Sequence, residues 1–221
     1  MAFLGNAMLV IWNGVNPEVT SDYDRWITEE HIPERMSAPG FLRGRRYVAP
    51  NPGSRQPYLN MYELSDIGDC TSSAYLAMLQ SPSAWTQTMM PHLRDFSRAA
   101  MHTLRSSGAG VGGCIGSVQL RAPDAPAGRD WLGSIDGFLP AGVVGVHVGA
   151  VDAAAAGGLT PEKTLRGSKA SEADFTHVVL IESVDENAMS AAITAVSERL
   201  AKAFHADAVV GAGVYRLNLI L

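Results

Sequence analysis

The chain has 221 residues, 47% of them hydrophobic, which suits one large domain or two small ones around a substantial core. A formal net charge of −5 argues against a nucleic-acid binder, which would carry a basic face. Two cysteines, Cys70 and Cys114, exclude a disulfide framework and stand at no metal-type spacing, so the expected setting is reduced and cytoplasmic. No apolar run approaches the roughly 20 residues that span a bilayer, and the N-terminus lacks a signal peptide's basic start, so no membrane is expected.

Residues 7–12 are a short apolar run ending at the turn signal Asn13-Gly14, which predicts a buried strand. Ser21 to Asp24 reads as a helix start with Ser21 as cap, and Tyr23, Trp26, Ile27, Glu30 and His31 share one stripe of the helix. Pro33 must end or kink it. Strands follow at 41–48 and 58–64, then a helix at 71–79. Ser81-Pro82 predicts a second helix start, closed by Pro91, and 96–104 a fourth strand. Ser106 to Gly113 is the best linker. The pattern then repeats: a strand at 114–120, a short helix around Trp131, a strand at 143–151, a loop at 153–174, a strand at 175–183, a helix at 187–204 and a strand at 209–221.

The expected fold class is therefore α+β: tandem ferredoxin-like βαββαβ repeats at 1–106 and 114–221, joined by the linker 107–113. The successive apolar residues of 143–148 and 178–181 need cover on both strand faces. That predicts two antiparallel sheets packed face to face as an intramolecular barrel, with a pocket between them.

His31 leads the candidates for acid–base chemistry, because imidazole titrates near neutrality and Glu30 shares its stripe; a neighbouring carboxylate or helix C-terminus would favour its protonated form. A frayed helix end is the competing explanation of both residues. Arg43 and Arg45 point to one side of their strand and Arg46 to the other. An inward arginine would hold a carboxylate or phenolate, and an outward one would guard a strand edge. His102 is in phase with Phe96, Arg98 and Ala100 on the fourth strand, and Trp12 and Asn13 lie at a strand end where a pocket mouth would fall. No histidine pair has metal spacing, and no GxGxxG, P-loop, GxSxG or HExxH is present, so no metal and no cofactor is expected.

Tyr23-x-x-Trp26, Glu29-Glu30-His31-Ile32-Pro33, Pro39-Gly40-Phe41 and Arg46-Tyr47 resemble the dimeric α+β barrel superfamily, particularly its EthD-like proteins, over residues 7–105. The second half resembles the fold without the motif. A small-molecule site is expected in the first half, its catalytic residues His31 as general acid or base, Glu30 tuning or orienting it, and Arg45 or Arg46 stabilising a developing enolate or phenolate, with Trp12, Asn13, Trp26, Arg46, Tyr47, His92 and His102 binding substrate. The resemblance implies a homodimer as partner state. The expected reaction is cofactor-independent lyase, isomerase or cyclase chemistry on a small aromatic, polyketide-like or organic-acid substrate. The alternatives are a cofactor-free or haem-dependent monooxygenase and a non-catalytic ligand-binding protein.

Overall fold

The computed structural model describes residues 3–122, 135, 139–156, 158–167, 171–172 and 174–221. Nine strands are described: β1 (Ala7–Val15), β2 (Phe41–Val48), β3 (Tyr58–Leu64), β4 (Leu93–Gly108), β5 (Cys114–Leu120), β6 (Val143–Val151), β7 (Ser171–Glu172), β8 (His177–Ser183) and β9 (Val209–Ile220). Their order is β1-β3-β2-β9-β5-β8-β6-β4, and β1 pairs with β4 to close an eight-stranded antiparallel barrel; β7 adds to β4 in parallel.

The expectation of two sheets face to face is corrected here. The sheets of the two halves join at their edges, through β2 with β9 and β4 with β6, into one closed wall. Closure leaves no edge of the eight-stranded wall unpaired, which face-to-face packing would not achieve. The expected pocket between the sheets is also corrected. Alternation along β1 sends Met8, Val10 and Trp12 inward, and these pack with Tyr47, Leu59, Met61, Met101, Leu180 and others into a filled interior.

The outward residues of the first-half strands meet the helices. These are α1 (Thr20–Trp26), a π turn (Ile27–His31), α2 (Ile32–Met36), α3 (Ser73–Gln80) and α4 (Ala84–Met89). Ser21 is not the cap: a 3-10 turn at Pro17–Val19 leads straight into α1. Pro33 does not end the helix. The ladder widens by one residue before it, with Ile32 N–H donating to Ile27, and α2 continues beyond. The α4 cap is Ser83 rather than Ser81, its hydroxyl accepting from Thr86 N–H.

In the second half α6 (Glu186–Ala203) packs Met189, Ala192, Val196 and Leu200 on the outer face of β5 and β8. The segment read as a loop holds α5 (Pro161–Leu165), capped by Thr160, which reaches across to α3 and α4. The short helix expected around Trp131 lies outside the described residues. No described helix is long and apolar enough to cross a membrane.

Candidate functional site

A cavity of about 50 Å³ lies between the outer face of the first-half sheet and its helices. Its floor is Leu9, Ile11 and Asn13 of β1, Asn60 and Tyr62 of β3, and Phe96 and Arg98 of β4. Tyr23, Trp26, His31, Arg35 and Tyr75 cover it from the helices, while Glu162, Lys163 and Arg166 close one side from the second half. That volume accommodates a few waters, so a larger ligand requires the wall to move.

His31 is the last residue of the π turn. Its ring lies 4.4 Å from the Trp26 ring, half-buried, and its Nδ1 has no hydrogen-bond partner. Burial, reinforced by the nearby Arg35 and Arg166 charges, holds the imidazole well below its ordinary value of 6.5. The sequence pointed to a carboxylate-stabilised imidazolium; the structure instead favours the neutral ring, whose nitrogen is free to accept a proton but is made a weaker base by the same burial and charges. A buried polar atom without a partner is unusual enough to mark a place where a ligand or water belongs. Asn60 Oδ1, on the same cavity, is likewise without a partner.

Arg35 is 3% exposed and forms an ion pair with Glu162, which is 6% exposed. Its guanidinium lies 5.8 Å from the Tyr75 ring, and that of Arg166 lies 4.2 Å from the Phe96 ring. Tyr23 Oη and the Asn13 amide are within 3.1 Å, and the phenol's pKa is raised by burial, so it stays protonated. The site thus combines a neutral base, fixed cations and apolar aromatic walls.

Of the residues named from sequence, the cavity brings together Asn13, Trp26 and His31. Glu30 points to α4, where its carboxylate accepts from Ser83 Oγ at 2.5 Å and Thr86 Oγ1 at 3.2 Å. Arg45 and Tyr47 are on the other face of the sheet, inside the barrel. There Arg45 pairs with Glu63 and Glu182 and donates to Tyr47 Oη at 2.9 Å. Trp12 is also inside, edge-on to Phe175 at 5.5 Å. Arg46 faces the helix side but sits over Tyr23 and Tyr58, paired with Asp24 and bonded to Asn218. His92 contacts Asn16 and the exposed His102 contacts Asp152, both away from the cavity.

Arg35, Asn60, Glu162, Lys163 and Arg166 were not singled out from sequence. Thr160-Pro161-Glu162 carries a readable helix start, a cap followed by proline at the first helical position. Nothing local in that segment shows that it docks on the first half.

The described strands form a closed eight-stranded antiparallel barrel with helices outside it, a mixed α+β fold. No protein-family model matches the sequence, and no curated protein matches it. Among solved structures the chain is similar to an anthrone oxidase-like protein (TM-score 0.65, 11% identity, 97% of this chain and 92% of that one). It is also similar to a protein from Fusobacterium nucleatum provisionally called a monooxygenase (0.53, 12%, 99% and 95%). A third is a haem-binding protein from Thermus thermophilus (0.54, 10%, 96% and 91%). At these identities the likeness shows the fold.

Proposed function

We propose that the chain is a cofactor-independent oxygenase for a small, electron-rich aromatic compound with an acidic C–H or O–H, and that His31 is its general base. The observation that carries this reading is the buried, unpartnered Nδ1 of His31 on a cavity walled by aromatic rings and arginines, where burial and the arginine charges disfavour the imidazolium. The likenesses to an anthrone oxidase-like protein and a monooxygenase favour oxidation over the lyase, isomerase or cyclase chemistry expected from sequence.

In this reading His31 takes a proton from an activated methylene, and the guanidinium groups of Arg35 and Arg166 stabilise the resulting enolate-like anion. The anion gives one electron to O2, and the radical pair combines to form a C–O bond. The peroxide recovers the proton from His31. Loss of the remaining C–H proton and cleavage of O–O then give a ketone and water, so R2CH2 and O2 become R2CO and H2O.

The haem-binding relative raises a haem as an alternative. The residues around His31 do not fit one. The cavity of about 50 Å³ must open for any organic ligand, and a haem, far larger than a three-ring anthrone, would have to displace the buried Arg35–Glu162 pair and the Trp26 ring that wall it.

The same strand order in both halves, β4-β1-β3-β2 and β9-β5-β8-β6, supports reading the chain as two ferredoxin-like repeats. The first, over 1–106, is EthD-like and carries the base. A cytoplasmic homodimer belongs to the same reading, and its test is the mass in solution.

The deciding experiment is oxygen uptake with a panel of hydroxylated anthrones and related phenols. The native protein is expected to consume one O2 per substrate, with His31→Ala lowering kcat by about 10²–10⁴-fold. Undiminished turnover in that variant removes His31 from the reaction. Solvent deuterium incorporation without oxygen uptake returns the chemistry to the isomerase class.

A further inference from the structure

Glu30 shares the His31 helix yet its carboxylate is on α4, and the contacts there form a directional chain. Trp26 Nε1 donates to Thr86 Oγ1 at 3.2 Å; the Thr86 hydroxyl donates to Glu30 Oε1 at 3.2 Å. Ser83 Oγ donates to the same Glu30 oxygen at 2.5 Å and accepts from Thr86 N–H at 3.0 Å. Every donor has an acceptor, and the chain terminates on a carboxylate, the strongest acceptor available. Its other end is the Trp26 indole, 1% exposed, against which the His31 ring packs at 4.4 Å.

Nothing bonds His31 Nδ1, so the imidazole orientation rests on the ring contact with Trp26 and the surrounding walls. An indole whose N–H has lost its partner is expected to turn or draw in water, because an unsatisfied buried donor is costly. The π turn also matters: it carries both Glu30 and His31, so fixing Glu30 to α4 fixes the turn that presents the imidazole.

We propose that Glu30 is a positioning residue that holds the His31 imidazole through Thr86 and Trp26, and does not itself touch substrate. This rests on the reading of His31 as the base. The charged groups facing the ring are Arg35 from its own helix, Arg98 from β4, and Glu162, Lys163 and Arg166 from the second half. Tyr23, Tyr62 and Tyr75 face the same cavity. None of these belongs to the chain from Glu30 to Trp26, so the effect of breaking it is separable from theirs.

The test is a side-chain NMR titration of His31 in the full-length protein, with thermal melts in parallel. Native His31 is expected to titrate well below 6.5. Thr86→Val cuts the chain in the middle at nearly constant volume. It is expected to raise the midpoint by about one pH unit as the ring loosens towards water. Glu30→Ala is expected to do the same, and Glu30→Gln, which keeps an acceptor oxygen, to stay near native. If Glu30→Ala does not fold, Thr86→Val carries the test alone. A native midpoint in Thr86→Val, whatever its melting temperature, overturns the proposal by leaving Glu30 a purely structural link. Full oxygen uptake by His31→Ala alongside the expected titration shifts removes the base reading and leaves the positioning chain standing.

Discussion

At His31, burial and the charges of Arg35 and Arg166 act in the same direction, each disfavouring the imidazolium. The consequence for stability has a definite sign. Because the folded pKa is depressed below 6.5, the unfolded chain takes up a proton first on acidification. Below about pH 6.5 stability therefore falls with pH until the folded pKa is reached, and above it this loss is absent. Denaturant unfolding from about pH 7 to about pH 5 is expected to show the native protein losing stability relative to His31→Gln. Parallel curves for the two proteins would place the histidine in water. The buried Arg35–Glu162 pair gives a second residue-level prediction. Glu162→Ala leaves the buried Arg35 with only the longer, partly exposed ion pair to Glu34 at 3.5 Å and is expected to cost about 3 kcal/mol. Replacing both by Met is expected to cost less, since desolvation of both charges is then avoided.

Among the elements, strands and long helices follow their local patterns. β2, β3, β5 and β6 run over the residues their alternation and apolar runs predict. The α6 stripe of Met189, Val196 and Leu200 is buried as its spacing requires, and Asp185 caps the helix by accepting from Ala188 N–H at 2.9 Å. Asp185→Ala is expected to lower stability by about 1 kcal/mol in thermal unfolding. The misread elements are those where a tertiary contact outweighs a local signal. Pro33 reads as a terminator, but the π turn absorbs the missing N–H, and Ile32 and Arg35 bury on the far side of it. In α5, five residues would not hold a helix alone; contact with α3 and α4 supports it.

For the whole molecule, closure carries a buried ionic cluster. Arg45 of β2 bridges Glu63 of β3 and Glu182 of β8, with His147 3.0 Å from Glu182 and Gly112 N–H donating to it at 2.6 Å. Burial alone would raise the Glu182 pKa, but the bonds from His147, Arg45 and Gly112 hold it below the ordinary carboxylate value. The cluster joins the two halves inside the barrel, which gives Arg45 a structural task on the face away from the cavity. Arg45→Met leaves two buried carboxylates without their shared cation and is expected to cost about 3–5 kcal/mol at neutral pH. Without that cation burial, which already pushes the Glu182 pKa up, is less opposed. The deficit should therefore shrink as pH falls and Glu182 takes up a proton. A deficit independent of pH would mean that Arg43 and His147 compensate.

The sequence by itself determined most strand positions, the α+β class and His31 with Trp26 and Asn13 as candidates. Alternation, helical spacing and turn residues are local properties, and these side chains lie on or beside one helix stripe and one strand end. Only the tertiary structure decided that the halves join by edges and that the barrel interior is filled. The same local alternation is compatible with either face being the packed one. The tertiary structure alone also separated Arg45 from His31. One residue of register places a strand side chain on one face or the other, and no local signal ranks the faces. Finally, Glu162 and Arg166 reach the cavity from more than a hundred residues beyond His31 in the chain. That placement depends on the pairing of β4 with β6, a long-range contact that no window of sequence contains.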